Sequence, residues 1–427
     1  MLMESKEIVI IGGGFAGINL AMQLSGNDHF HITLVDRNNY NFFPPLLYQV
    51  ATGFLEASNV SYPFRKLFQG KKNISFRMGE FLKVVQQENK IIISNGELKY
   101  DYLVFATGTE TNFFGIENVK QNAIPMKTVG DALNMRNHFL QKMELATITD
   151  DKNEKKKLLN IVIAGGGPTG VEVSGMLAEL KKNALHKDYP ELADTGLESN
   201  IYLVDAGKAV LSPMSEKSQK ETYEALSKLG VIIKLNIHVK DYVGGVVMLD
   251  NNENIETKTL IWAAGVTAHV FDGIAPECYG RGKRLIADEF NKVTGTQNIY
   301  SIGDTCIQTS DGEFPNGHPQ VAQVAIQQGK NLAKNFIAIA NGNEPRAFKY
   351  IDKGSLAIIG RNKAVADLSK TLHFKGFIAW FIWVFVHLIS LINYRNRVKT
   401  LYNWMIAYFT KDQSLRMIIR PSKDEEA

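Results

Sequence analysis

The chain has 427 residues, 45% of them hydrophobic and 22% charged, and its 48 basic residues exceed its 44 acidic ones by a net charge of only +4. That length suits roughly two or three domains, each able to bury a core, and the near balance of charge gives no reason to expect nucleic acid as a partner. The two cysteines, Cys278 and Cys306, are too few for a disulfide framework and too far apart for a C-x-x-C redox pair, so two ordinary reduced thiols are expected.

The first apolar run, Ile8-Val9-Ile10-Ile11, reads as a buried parallel strand. It begins so early that no secretory leader fits before it, which points to a cytosolic bulk. The run breaks at Gly12-Gly13-Gly14-Phe15-Ala16-Gly17, reads as a helix through Leu24, and resumes as a strand at His31–Val35. In that context Gly12 permits the tight turn, Gly14 lets backbone approach a pyrophosphate, and Gly17 lets helix and strand pack. The helix start at Phe15 and Ala16 offers free N–H groups and a positive dipole end to phosphates. Asp36, with Arg37 beside it, ends the second strand where a carboxylate accepts bonds from a ribose hydroxyl. The plain alternative is a glycine-rich turn followed by a surface acid.

Lys152 to Lys157 reads as a charged, solvated surface loop. The dinucleotide grammar then returns. Ile161–Ala164 is a strand, Gly165-Gly166-Gly167-Pro168-Thr169-Gly170 is the turn, and a helix runs from Val171 to about Lys182. After an insertion comes the strand Ile201–Val204 with Asp205 at its end. Gly165, Gly167, Thr169 and Gly170 form the second phosphate loop, and Asp205 is its ribose acid. A carboxylate there repels a 2′-phosphate and favours NADH over NADPH, although Lys208 pulls the other way. Pro168 removes one N–H, but its fixed φ suits a helix start. Two such loops mean two dinucleotides. A nicotinamide alone has nothing to reduce, whereas a flavin accepts a hydride and passes electrons on.

Further segments carry a family pattern. Tyr102–Gly108 resembles the "ATG" strand of two-dinucleotide flavoprotein reductases, Leu260–Gly265 its counterpart in the NADH domain, and Ile299–Asp304 their late Gly-Asp strand. With Asn41–Ala51, the segment Ala322-Gln323-Val324-Ala325-Ile326-Gln327-Gln328-Gly329 and the aromatic tail, the chain resembles type II NADH:quinone oxidoreductases over essentially its whole length. The resemblance implies an α/β fold with two Rossmann-type domains. FAD binding falls to 1–120 and 271–347, NADH binding to 121–270, and a C-terminal membrane-associating region to 348–427.

It also implies non-covalent FAD held through Thr107, Gly108, Gly303, Asp304 and Gln323, and NADH held through Glu172 and Gly265. Gln323 and Gln327, four apart, share one face of a helix starting near Pro319, where amides could bond quinone carbonyls or merely make structural bonds. Some members carry His where this chain has Ile326. Glu172 is expected in the first turn of its helix, either orienting nicotinamide and relaying protons or simply complementing the dipole. Pro44-Pro45 stiffens a loop laid against the flavin. Tyr48 is equally a quinone-side residue or a core tyrosine, and Cys306 is near the flavin without assigned chemistry.

Gly376–Tyr394 contains no Asp, Glu, Lys or Arg, and it is long enough to span a bilayer. A stripe of His387, Ser390, Asn393 or Tyr394, and Arg397 at helical spacing, with Trp380 and Trp383 at headgroup level, argues instead for lying on the surface. Arg395 to Arg420 adds six basic residues (Arg395, Arg397, Lys399, Lys411, Arg416, Arg420) against Asp412 alone. Such a pair of helices reads as an interfacial anchor, with a dimer interface or a true span as alternatives.

The expected activity is non-proton-pumping: hydride from NADH to FAD, then two electrons to menaquinone or ubiquinone. It is placed at the cytoplasmic face of the membrane, in a monotopic homodimer without metal. The alternatives are a soluble NADH-dependent reductase of an iron–sulfur protein and a dinucleotide-sensing signalling flavoprotein. A sulfide-oxidising relative is disfavoured by the lack of closely spaced cysteines.

Overall fold

The structure is a computed structural model describing residues 5–182, 186–193, 199–368, 371–410 and 415–419. In chain order, the elements that frame the functional residues begin with β1 (Lys6–Ile11), α1 (Phe15–Gln23), β2 (Phe30–Asp36), α2 (Leu47–Ala51), β3 (Ile74–Met78) and β4 (Tyr102–Phe105). Next come β5 (Ile124–Pro125), α3 (Val129–Thr147), β6 (Ile161–Ala164), α4 (Pro168–Leu180), β7 (Ile201–Asp205), β8 (Val231–Leu235) and β9 (Leu260–Trp262). The last are β10 (Ile299–Ser301), α5 (Ala322–Ala340), β11 (Ser355–Gly360), β12 (Lys363–Asp367), β13 (His373–Lys375), α6 (Gly376–Ser390) and α7 (Tyr394–Thr410).

The chain forms two compact units, residues 1–42, 62–110 and 266–352 in one, and 43–61, 111–265 and 353–427 in the other. This division differs from the expected one in two places. The stretch 43–61 leaves the first dinucleotide domain for the second unit, and the C-terminal region is part of that unit rather than a body of its own.

The first unit is built on a parallel sheet of order β10-β4-β1-β2-β3. From Ile8 onward its central strand β1 is apolar on both faces and buried, with Ile8 and Ile10 on one side and Val9 and Ile11 on the other. Each fully buried side chain of this kind contributes about 1.5–3 kcal/mol. The second unit repeats the plan with β5-β9-β6-β7-β8, again all parallel. In both sheets the strand before the glycine loop has neighbours on opposite sides that come from different parts of the chain. The strand order therefore reverses at the loop, which is where an open α/β sheet leaves a crevice.

One expectation is corrected here. Lys152–Leu159 is a helix, not a loop: Asp151 caps it by accepting from Asn153 N and Glu154 N, and lysines favour helix once a cap supplies the start.

Candidate functional site

In the first unit the glycine loop follows the steric logic of its spacing. Gly12 sits at φ +103, and a Cβ there would run into the Ala106 carbonyl. A Cβ at Gly17 would run into the Gly12 carbonyl, so α1 and the turn touch backbone to backbone. At Gly14 a Cβ would meet nothing within 4 Å. Gly14 is also the N-cap of α1 and no side chain caps the helix, so its first N–H groups remain for a phosphate.

Asp36 is tied to this loop. Its Oδ2 accepts from Gly13 N at 2.7 Å and its Oδ1 from Asn38 N at 2.8 Å. Burial raises its carboxyl, opposed by those two N–H bonds and by the exposed Arg37. Lone pairs remain on both oxygens for a ribose hydroxyl. Gly13 and Asn41 escaped the sequence reading: a Cβ at Gly13 would strike the Phe64 ring, and Asn41 Nδ2 holds the Gly13 carbonyl at 2.8 Å.

The remaining residues expected at this cofactor converge on the same loop. Ala16 is buried, and its Cβ lies against Gly303, which bends at φ +75 between Ala16 and Ala325 of α5. Phe15 is half-buried on the core beside α1. Thr107 carries a buried Oγ1 without a hydrogen-bond partner, and Gly108, at φ +67, has open space where a Cβ would be. The Asp304 carbonyl accepts from Gln320 Nε2 at 2.9 Å. An open glycine, an uncapped helix start and an orphaned threonine hydroxyl fit a bound dinucleotide.

Helix α5 begins at Ala322, three residues after Pro319, with no side-chain cap. Gln323 lies in its first turn and Gln327 in its second. The Gln327 amide is engaged at both ends by one residue, donating to Ile351 O at 2.8 Å and accepting from Ile351 N at 3.1 Å. That pair pins the chain that follows α5 back along the helix and leaves one N–H and one lone pair uncommitted. The unanticipated residues here are Gln328, which holds Gly303 N at 2.7 Å, and Gly329, whose missing Cβ lets α5 approach Ala16 O of α1. Cys306 is buried and free, and burial pushes its thiol up to about 11.

The second unit reproduces the cradle. Gly165 is at φ +114 against the Ala263 carbonyl, Gly170 packs on the Gly165 carbonyl, and Gly167 has nothing within 4 Å of a Cβ. Pro168 is the first residue of α4 and Thr169 is exposed beside it. Asp205 accepts from Gly166 N through Oδ2 and from Gly207 N through Oδ1 at 2.6 Å. Gly265 sits under the Phe114 ring, and its carbonyl accepts from Asn112 N at 3.0 Å.

Glu172 departs from expectation. It lies one turn inside α4, not in the first turn, and is 7% exposed. Burial raises its carboxyl well above the ordinary range, moderated by the Ile358 backbone N–H and by the nearby Trp383 indole. Lying past the first turn, it is poorly placed to complement the helix dipole. Three residues on, a Cβ at Gly175 would collide with the Ile359 carbonyl, so α4 lies directly on β11. Four further on, Glu179 accepts from Arg361 N at 2.6 Å. Tyr48 of α2 is fully buried, and burial above all, with Glu172 nearby, raises its hydroxyl well above the ordinary range.

The tail corrects the expected stripe. Trp383 is 1% exposed rather than at a headgroup level, stacked on His387 at 4.0 Å between ring centroids. His387 turns inward, bonding Trp383 O at 2.8 Å, and desolvation lowers its imidazole to about 4. Arg397 folds back to the Leu391 and Ile389 carbonyls. Arg397 thus satisfies the break between α6 and α7 and His387 turns into α6, while Ser390 and Tyr394 stay exposed. Arg416 is paired with Asp188, and Lys411, Asp412 and Arg420 lie outside the described residues. Most of what faces outward is apolar: Phe377, Phe381, Phe385 and Ile389 at every fourth position of α6, and Val398, Tyr402, Met405 and Phe409 on α7. Among the described residues no helix is long and apolar enough to cross a membrane.

Comparison with known proteins agrees with this geometry. Residues 6–329 match the pyridine nucleotide-disulphide oxidoreductase family, and residues 353–417 the NDH2 C-terminal domain. The chain is 35% identical over 419 residues to the type II NADH:quinone oxidoreductase NdhA of Mycobacterium tuberculosis, covering 94% of this chain and 87% of that one. It is 32% identical over 421 residues to Ndh of the same organism, covering 95% and 88%. The solved structure of NDH2 from Plasmodium falciparum in complex with NADH superposes with a TM-score of 0.87 at 23% identity, covering 98% of this chain and 100% of that one.

Proposed function

The chain belongs to the type II NADH:quinone oxidoreductases, within the pyridine nucleotide-disulphide oxidoreductase family, and from that premise we propose how its residues divide the work. It passes hydride from NADH to FAD and two electrons onward to a quinone. The carrying observation is the duplicated cradle: Gly14 and Gly167 each open onto free space at the start of a helix, with Asp36 and Asp205 each bonded to the loop beside them. When bound, FAD supplies the acceptor for the hydride and the donor for the quinone.

The loop around Gly12, Gly14 and Gly17 holds the FAD pyrophosphate, Asp36 its adenosine ribose, and Thr107, Gly108, Gly303 and Asp304 the remainder. The loop around Gly165, Gly167 and Gly170 holds NADH, with Asp205 on the ribose and Gly265 at the nicotinamide side. Burial favours the protonated form of Glu172, which gives it a proton to offer on the quinone side. Gln323 bonds the flavin or the quinone, and Gln327 reaches it only with the part of its amide that Ile351 does not use. The soluble iron–sulfur reductase reading is not favoured, because it gives the C-terminal domain nothing to do.

We further read the outward apolar faces of α6 and α7 as lying in the headgroup layer of the cytoplasmic leaflet, without spanning it. Arg395 and Lys399 reinforce this, each basic group near an anionic leaflet adding about 1 kcal/mol. The same faces are compatible with a homodimer whose second copy docks alongside. Anaerobic bleaching of the bound flavin by NADH, then reoxidation by a menaquinone or ubiquinone analogue, tests the activity. A flavin that NADH reduces but no quinone reoxidises would overturn it.

A further inference from the structure

In the second unit a hydrogen-bond chain runs from the tail helix to α2, and its direction is fixed at one end. Trp404 Nε1 can only donate, and it donates to Gln49 Oε1 at 2.7 Å. The Gln49 amide is thereby oriented, with Nε2 toward the Tyr48 hydroxyl at 2.9 Å. Tyr48 must then be the acceptor, and its own proton is left to give. The hydroxyl has no second partner among the described residues, and Tyr48 is 2% exposed and Gln49 4%.

Two more donors share this neighbourhood. The Trp383 indole N–H is buried and turned toward the Glu172 carboxyl, too far for a full hydrogen bond. Burial favours the protonated form of Glu172, whose carboxyl then has a proton to donate. The other acid within range of Tyr48, Glu179, is already bonded to Arg361 N. Buried donors without acceptors are costly, and an acceptor-only oxygen satisfies them without bringing in a charge. Aromatic rings of α6 and α7 wall the cluster: Trp383 lies 5.5 Å from Trp404 and 4.0 Å from His387 between centroids. The outward faces of the same two helices are apolar.

We propose that Tyr48, with its proton aimed by Gln49 and Trp404, donates a hydrogen bond to a carbonyl oxygen of the quinone, with Trp383 N–H as a second donor. Tyr48 is thus a binding residue, and Gln49 and Trp404 are positioning residues. The assignment rests on the quinone reading of this chain and names the groups that would recognise its acceptor.

The test uses the full-length, FAD-loaded enzyme and its Tyr48→Phe and Trp404→Phe variants. Steady-state rates are measured with menadione, with a short-chain ubiquinone, and with ferricyanide, which needs no carbonyl contact. In Tyr48→Phe the KM for both quinones rises about fivefold, the worth of one neutral hydrogen bond, while flavin bleaching by NADH and the ferricyanide rate hold. Trp404→Phe, which frees the Gln49 amide to turn, moves the quinone KM the same way by less. Quinone kinetics within twofold of wild type in both variants overturn the proposal. So does a parallel fall in bleaching, ferricyanide rate and FAD content, which would make Tyr48 a packing residue. Wild-type enzyme that ferricyanide reoxidises and quinones do not would instead overturn the underlying function, a distinct result.

Discussion

Gln328 Oε1 holds the backbone N–H of Gly303 at 2.7 Å, and the same amide turns Nε2 toward the Cys306 sulfur at 3.9 Å. The pair fixes the bend at Gly303 from the α5 side, next to Asp304 of the expected FAD set. Replacing Gln328 by Leu leaves a buried N–H unsatisfied, at a cost of about 1–3 kcal/mol. The bend then loosens and FAD is held about tenfold more weakly, read from the flavin-to-protein absorbance ratio and from equilibrium dialysis. Gln328→Glu keeps the acceptor and loses less. Wild-type FAD affinity in Gln328→Leu would show that the bend is held by Ala16 and Ala325 alone.

Glu172 makes stability depend on pH in a definite sense. Its folded-state pKa lies above its ordinary value of 4.5 because burial penalises the charged form. The native state thus keeps a proton that the unfolded chain gives up. Its contribution is complete below about pH 4.5 and is lost as pH rises through the folded value. Glu172→Gln stays neutral throughout and still accepts from Ile358 N. Thermal melts between about pH 5 and 9 are expected to show the variant gaining on wild type as pH rises. A constant offset would mean that the carboxyl is not shifted. Quinone reoxidation should fall roughly 10²-fold if the proton is used, with flavin bleaching retained.

The carboxyls of Glu172 and Glu179 grip backbone N–H groups of Ile358 and Arg361, and Gly175 lies between them against the Ile359 carbonyl. Gly175→Ala pushes α4 off β11 at its closest point. Forcing a methyl into packed backbone typically costs about 1–3 kcal/mol, so a clearly lowered Tm is expected. A melt superimposable on wild type would show that the helix and strand can part without loss.

The two dinucleotide units were legible because strand, glycine turn, helix and acid are local in sequence and each glycine has a steric reason. Gly12, Gly14 and Gly17 and their counterparts Gly165, Gly167 and Gly170 sit as their spacing requires. What escaped depends on distant partners. Gly175 looks like any small helix residue until β11, some 180 residues later, is laid on it. Gln49 and Trp404 are 355 residues apart, and no periodicity links them. The tail misled for another reason. Helical spacing located His387 and Arg397 on one stripe, but the chain breaks between Ser390 and Tyr394, so Arg397 serves the break while His387 turns back onto the Trp383 carbonyl.

Asp205 should decide between the two nicotinamide cofactors. Both its oxygens accept loop N–H groups, from Gly166 and Gly207, so its charge is fixed in place beside the loop. Asp205→Asn keeps an acceptor for one of them and removes the repulsion toward a 2′-phosphate. The ratio of kcat/KM for NADPH to that for NADH is expected to rise about tenfold, with Lys208 nearby to receive the phosphate. An unchanged ratio would place the discrimination on some other part of the unit.

The outer and inner faces of α6 give opposite expectations for neighbouring aromatics. Phe377, Phe381 and Phe385 are 56%, 60% and 57% exposed, so changing all three to Ser removes little native packing and leaves Tm nearly unchanged. Each would bury its ring in a headgroup layer, worth about 1.5–3 kcal/mol, so flotation with anionic liposomes should weaken at least about a hundredfold. Trp383, 1% exposed, is the reverse case. Trp383→Ala opens a cavity costing about 3–5 kcal/mol and lowers Tm sharply. Undiminished flotation by the triple variant, with a shift from dimer to monomer in sedimentation, would instead assign this face to a second copy of the chain.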